Sequence, residues 1–201
     1  INNIEFKSQN LKLLDACAAP GGKAFQLLSK KLEVTLNDKS KRRIQTLKSN
    51  LNRLKFNPIV LNKDFIKFEK NEKFDFIIID APCSAIGTIR KNPEIFFKSK
   101  MPDFDRLNNL QQNMLEKAAL LLNVGGSILY MTCSFIKNET FDQINEFLEK
   151  NNNFLVANFL LTEENYDFSK LVKNNLMITI PDKILNYNID GYFAAYLKKI
   201  K

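Results

Sequence analysis

Short apolar runs alternate with stretches whose apolar residues recur every three or four positions, from one end of the chain to the other. The first apolar run, Leu11–Ala16, ends at Asp15, and Gly22–Lys31 after it reads as a helix. Glu33–Asn37 is a second strand, closed by Asp38. From Ser40 to Leu54 the apolar residues Ile44, Leu47, Leu51 and Leu54 lie three or four apart, with Lys and Arg on the other side. That spacing predicts an amphipathic helix, with Ser40 as its N-cap. Pro58–Leu61 is a third strand. Phe74–Ile79 is the most apolar run, which suits a strand buried on both faces of a parallel sheet. Phe104, Leu107, Leu110, Met114, Ala118 and Leu121 mark a long helix over Phe104–Leu122, which Gly125-Gly126 is expected to end. Ser127–Met131 follows as a strand, Asn138–Lys150 as a helix, and Phe154–Phe159 and Tyr192–Leu197 as late strands. Asn151–Asn153 reads as a turn.

Strands alternating with helices predict βαβ units and a mostly parallel sheet with helices on both faces. Ligands of such sheets bind at the carboxyl ends of the strands, near the point where strand order reverses. At 201 residues the chain is one domain, residues 1–201, with no internal repeat or linker. No apolar run approaches the roughly 20 residues a membrane helix needs, so no membrane association is expected. Ile1–Asn10 lacks the pattern of a signal peptide. The first residue is not Met, as expected of a fragment of a longer protein.

Composition narrows the chemistry. There is no His, which removes Ser-His-Asp triads, Cys-His pairs and His general bases. Three Cys (Cys17, Cys83, Cys133), an odd number without a secretory signal, point to a reducing, cytoplasmic compartment. Their wide spacing argues against a zinc site, and no metal is expected. The net charge of +8 favours an anionic partner such as nucleic acid. The 25 Asn and 25 Lys are also the composition of an AT-rich coding genome, so charge alone decides nothing.

The candidate chemistry sits at the ends of the predicted strands. The first runs into Asp15-Ala16-Cys17-Ala18-Ala19-Pro20-Gly21-Gly22-Lys23. A Gly-rich turn between strand and helix lets a ligand approach the backbone and exposes the first helical N–H groups. It fits neither G-x-G-x-x-G nor the P-loop pattern, and a tight turn without a ligand is the plain alternative. Asp38, ending the second strand, could accept hydrogen bonds from a ribose diol or cap the following helix. Asp64, past the third strand, has the same two readings, with an adenine amino group as the ligand. Asp80-Ala81-Pro82-Cys83 puts a carboxylate and a thiol at the end of the central strand. Thr132-Cys133-Ser134 puts a second thiol at the end of the next. A lone Cys is usually a small buried hydrophobe, but two at neighbouring strand ends can face one pocket.

The motifs DACAAPGGK, DAPCSAIGTIRKNPE and MTCSFIKNE, in this order and spacing, resemble those of the RNA (cytosine-5) methyltransferase family, above all its bacterial enzymes acting on 16S ribosomal RNA. The likeness runs from about Leu13 to Asp190-Gly191-Tyr192-Phe193-Ala194-Ala195. It implies a Rossmann-like methyltransferase fold with a mostly parallel seven-stranded sheet and S-adenosyl-L-methionine as cofactor. Cys17, Ala18, Ala19, Pro20, Gly21, Gly22 and Lys23 would wrap that cofactor, with Asp38 on its ribose and Asp64 by its adenine. Asp80 would serve both cofactor and cytosine. Cys133 resembles the nucleophile and Cys83 the cysteine that assists product release, while Lys23 and Asp80 would orient the ring.

This chain departs from the family pattern at Ala85, where Gly is usual, and at Ala24, Lys91 and Thr140, where Thr, Arg and Asn are common. Family members also carry an N-terminal RNA-binding region, so the chain is expected to be a catalytic domain without it. A monomer acting on RNA, with 16S ribosomal RNA as the substrate, is the expectation.

The residue types suit that chemistry. Carbon 5 of cytosine is a poor nucleophile until a thiolate adds to carbon 6 and makes the ring enamine-like. A charge partner near N3, such as Asp80, favours the addition. The target base must be unstacked to be reached, so single-stranded or flipped RNA is expected. Two rivals remain at this stage. One is a DNA cytosine-5 methyltransferase whose nucleophile is Cys83 of the Pro-Cys pair. The other is a non-catalytic RNA binder in ribosome assembly.

Overall fold

A computed structural model describes residues 4, 6, 10–69, 71–97, 101–159, 171–184 and 187–201. The strands are β1 (Leu13–Asp15), β2 (Val34–Asn37), β3 (Val60–Leu61), β4 (Phe74–Asp80), β5 (Leu122–Thr132), β6 (Phe154–Val156), β7 (Val172–Lys173), β8 (Leu176–Thr179), β9 (Asp182–Ile184), β10 (Tyr187–Ile189) and β11 (Tyr192–Lys199). The helices are α1 (Gly22–Ser29), α2 (Lys41–Leu54), α3 (Phe104–Leu121) and α4 (Phe141–Lys150). The main sheet runs β3-β2-β1-β4-β5-β11-β8-β7, with β6 also on β11, and β9 and β10 pair separately. β3 through β5 are all parallel. β11 lies antiparallel to β5, and β8 and β6 share its other edge end to end. Strand order therefore reverses between β1 and β4, where Asp15 stands opposite Ile78.

Period-two alternation divides the core between the two faces. Leu14, Ile77, Ile79, Ile128, Tyr130, Phe193 and Leu197 meet α3 and α4 through Met114, Leu115, Ala118, Ile144 and Phe147. Leu13, Val34, Leu36, Phe76, Ile78 and Leu129 meet α1 and α2 through Leu27, Ile44, Leu47 and Leu51. Each such aliphatic or aromatic side chain contributes about 1.5–3 kcal/mol on burial. α2 forms as its spacing predicts. Ser40 Oγ accepts the Arg43 N–H at 3.3 Å, and the basic residues face solvent. Leu54, in the last turn, is exposed instead of continuing the stripe.

Two departures from the sequence expectation bear on the sheet itself. Gly125-Gly126 does not end α3. The helix stops at Leu121, and both glycines lie within β5. They sit where the register against β4 shifts between Phe74 and Phe76, and a Cβ on Gly126 would come within 2.9 Å of the Asp75 carbonyl oxygen. Glycine there permits a bulge and a close backbone approach rather than a helix cap. Among the described residues the main sheet also has nine strands instead of seven. The additions are two- to four-residue strands at its far edge, too short and too mixed in polarity for period two to register.

Candidate active site

At Gly21 the backbone takes φ +118°, and a Cβ there would run into the Phe25 ring, so only glycine makes this turn. The preceding loop is tied to β2. The Ala18 N–H donates to the Asn37 carbonyl at 2.8 Å, and Asn37 Nδ2 donates to the Ala16 and Lys63 carbonyls at 3.1 Å. These ties open a cavity of about 440 Å³ at the carboxyl ends of β1 and β4. It brings together the predicted Cys17, Ala18, Ala19, Pro20, Gly22, Lys23 and Asp80, with Asp15, Gln26 and Tyr192 beside them. A larger concavity of about 520 Å³ holds none of the predicted residues and is lined by Leu13, Thr35, Phe74 and others at the opposite ends of the strands.

Asp38 and Asp64 do not line this cavity. The buried Asp38 carboxylate accepts the Ala19 N–H at 3.3 Å and the Ser40 N–H at 2.9 Å, and pairs with Arg43 at 3.1 Å. It stitches the Gly loop to the start of α2. Asp64 caps the short 3-10 turn Phe65–Lys67 and pairs with Lys39 at 2.8 Å. The hydrogen bond from Lys39 holds its pKa below the usual carboxylate value. Asp64 thus has the capping role that was its alternative reading, whereas the cap of α2 is Ser40 and Asp38 holds the N–H of that cap.

Lys23 and Asp80 form an ion pair at 2.6 Å across the cavity. Burial works against the Lys23 ammonium, but the Asp80 charge outweighs it and the pKa moves up. Asp15 lies beneath them, almost fully buried, with the Cys17 N–H at 3.2 Å. Burial, then the neighbouring Asp80 charge, raises its pKa from 3.8 to about 7. The Cys17 thiol, which lines the cavity, is pushed up by burial and by the carboxylates around it, which disfavours its thiolate.

β4 and β5 run side by side with Asp80 opposite Met131, so the residues after each strand are neighbours. Cys83 Sγ and Cys133 Sγ are 3.3 Å apart. The two thiols differ in kind. The hydrogen bond from Cys83 lowers the Cys133 pKa, and the same bond, with burial, raises that of Cys83. The pair can thus share one proton between two sulfurs, with Cys133 the one whose ionisation is favoured. Glycine makes the meeting of loops here possible. The Gly87 N–H donates to the Cys133 carbonyl at 3.0 Å, and the Gly191 N–H to the Gly87 carbonyl at 2.7 Å. A Cβ on Gly87 would lie 2.0 Å from the Gly191 oxygen.

Ala85, in the same loop, has φ +60°, the left-handed region. That costs a non-glycine residue about 1–2 kcal/mol, against about 0.5–1 kcal/mol for the extra freedom glycine brings to the unfolded chain. Ala85→Gly is expected to stabilise the domain modestly, raising its melting temperature by about 1–4 °C. A thermal melt with no rise would show that the loop is unstrained.

Comparison with known proteins agrees with this geometry. The family described as 16S rRNA methyltransferase RsmB/F matches residues 4–198. The chain belongs to that family. Ribosomal RNA small subunit methyltransferase B of Shewanella oneidensis is 33% identical over 195 residues, covering 94% of this chain and 43% of the relative. The protein of that name in Photorhabdus laumondii is 36% identical over 193 residues, covering 94% and 42%. The chain thus spans less than half the length of these curated relatives. Among solved structures, NSun6 from Pyrococcus horikoshii, solved with SFG, superposes with a TM-score of 0.80 at 26% identity, covering 96% of this chain and 49% of that one.

In this member of the RsmB/F family three site residues escape a sequence reading. Asp15 carries the same signal as Asp38 and Asp80, an acid ending an apolar strand, but reads as a strand terminator. Tyr192 reads as a strand residue. Glu139 reads as one polar residue among several at a helix start, yet it is fully buried.

Proposed function

We propose that the chain is the catalytic domain of an RNA (cytosine-5) methyltransferase. It places a methyl group on carbon 5 of a cytosine in small-subunit ribosomal RNA through a covalent adduct with Cys133. The observation that carries this reading is the pair of thiols, 3.3 Å apart, at the carboxyl edge of the sheet. The lowered pKa of Cys133 favours it as the attacking group, since the thiolate is the nucleophile. This speaks against the DNA-type arrangement, in which Cys83 attacks. A non-catalytic binder has no need of such a pair.

The cavity suits S-adenosylmethionine, a cationic cofactor. Its lining combines two carboxylates, Asp15 and Asp80, with an open glycine turn, where nothing lies within 4 Å of a Cβ built on Gly22. Cys17–Lys23 and Asp15 would hold the cofactor. Asp38 shapes that loop from behind and is assigned the ribose, with Asp64 at the adenine end. When bound, the cofactor supplies a methyl group on a positively charged sulfur. The residues of the chain do the rest. Cys133 adds to carbon 6, the Lys23–Asp80 pair meets the polar edge of the ring, and Cys83 assists release. Among the described residues no helix is long and apolar enough to cross a membrane. We assign the protein to the cytoplasm, as a monomer.

The test uses the full-length gene product, labelled methyl donor and small-subunit ribosomal RNA from cells lacking the enzyme. Incorporation mapping to 5-methylcytosine is the expected result. Label on another base or atom, or none under conditions in which a cytosine-5 control enzyme works, would overturn the reading.

A further inference from the structure

Behind the thiol pair, away from the cavity, lies a carboxylate with no assigned part in the reaction. Glu139 ends the 3-10 turn Lys137–Glu139 between β5 and α4, and it is fully buried. Its Oε1 accepts the Ser84 N–H at 2.7 Å, and its Oε2 accepts the Ser84 hydroxyl at 2.6 Å. Gln111 of α3 donates to Oε1 at 3.5 Å and, better, to the Pro82 carbonyl at 2.9 Å. Both neighbours of Cys83 are thus gripped, Pro82 by Gln111 and Ser84 by Glu139. The Glu139 carbonyl in turn accepts from Tyr130 at 3.2 Å and from Thr132 at 3.5 Å, on the strand that leads into Cys133. One residue therefore ties the Cys83 loop to the Cys133 strand.

A neutral amide would make most of these bonds without the cost of burying a charge. No salt bridge to Glu139 occurs among the described residues. What the charge adds is a field on its neighbours. We propose that Glu139 is a positioning residue that assigns the roles of the two thiols, pinning Cys83 against Cys133 and directing the proton of the pair to Cys83, so that Cys133 attacks.

Glu139 is among the groups that raise the Cys83 pKa, after the Cys133 hydrogen bond, burial and the Cys133 charge. On the other side Cys133 feels Asp80 from β4, which opposes its ionisation, and Lys23 from α1, which favours it. Tyr192 of β11 also faces Cys133, and Tyr130 of β5 faces Cys83. Cys133 therefore faces an acid and a cation already paired with each other, whereas Cys83 faces the Glu139 carboxylate, which has no such counter-ion among the described residues. This rests on the two-thiol reading above, but its test needs neither RNA nor cofactor, so the two can fail separately.

The experiment is alkylation with iodoacetamide across pH 6–10, each cysteine being followed by peptide mass spectrometry. In the wild type Cys133 is expected to label at lower pH than Cys83. In Glu139→Gln the preference for Cys133 should fall about tenfold, with Cys83 labelling moving to lower pH, while Glu139→Asp should retain the preference. An unchanged ratio and pH profile in folded Glu139→Gln would overturn the proposal. A second measurement leaves Glu139 in place. In Cys133→Ala, Cys83 has lost its partner but still faces the carboxylate, and should label only well above the ordinary thiol value of about 8.5. Ordinary titration of Cys83 in that variant would equally overturn the proposal.

Discussion

Cys133→Ala is expected to lose methyl transfer by at least about 10³-fold, because removing the nucleophile of a covalent mechanism leaves only binding and orientation. It should form no covalent complex with RNA. Cys83→Ala should behave differently. It keeps the attacking thiol and the Lys23–Asp80 pair, so addition and methyl transfer proceed, but release stalls. A denaturant-resistant protein–RNA adduct should accumulate and run as a shifted band in denaturing electrophoresis. RNA carrying 5-fluorocytosine should trap the wild type in the same way, since fluorine cannot leave as a proton does. The DNA-type alternative predicts the mirror image, with the adduct lost in Cys83→Ala and kept in Cys133→Ala. The protein must capture substrate for the comparison to count, so RNA binding by each variant is measured alongside.

Asp15→Asn is expected to make the ligand-free protein more stable, not less, at neutral and alkaline pH. Asp15 titrates near 3.8 when exposed in the unfolded chain and at about 7 in the fold, because burial and then Asp80 oppose its charge. Between these values the folded state binds more protons than the unfolded state, so the stability it contributes is complete below about pH 4 and is lost as pH rises through 7. A shift of about three units corresponds to about 4 kcal/mol. Partial relaxation leaves about 2–4 kcal/mol, or about 5–10 °C in melting temperature for a domain of this size. The amide keeps an acceptor for the Cys17 N–H and removes the titration. Melting curves at pH 4.5, 6 and 8 should therefore diverge, with the variant gaining steadily on the wild type. Parallel curves would show that Asp15 titrates normally. The same substitution should weaken binding of S-adenosylmethionine, because a carboxylate facing a cation is lost.

The parts of the molecule legible in the sequence are those where one physical signal acts alone. α2 has a clean 3.6-residue period and a serine cap, and it forms at Lys41–Leu54. β4 is apolar at Phe74 and from Phe76 to Ile79, where both its faces are covered. Gly125-Gly126 misleads because glycine after a helix and glycine in a bulge look alike in one dimension, and only the register against β4 separates them. Pro58–Leu61 shrinks to Val60–Leu61, and Phe154–Phe159 to Phe154–Val156, since edge strands are trimmed by what they pair with. In the site, the residues of the three motifs are where their order places them. The roles of Asp38 behind the Gly loop and of Asp64 as a cap depend on Arg43, Ser40 and Lys39, whose partners a linear reading cannot choose. Glu139 is the extreme case, a carboxylate whose meaning comes wholly from Ser84, 55 residues earlier.

β11 follows every other described strand in sequence, yet it lies inside the sheet, between β5 and the β6/β8 edge, with Phe193, Ala195 and Leu197 fully buried. On a ribosome, which releases a chain from its amino end, the Gly turn, both cysteines and Glu139 all emerge before it. Until β11 follows, the pairing edge of β5 over Ser127–Thr132 stays open, and open edges recruit other strands. Gly191, which closes onto Gly87 beside the thiols, arrives in the same segment. Synthesis order thus leaves the β5 edge uncovered until β11 has been made, and the corner where Gly191 meets Gly87 beside the thiols is assembled only then.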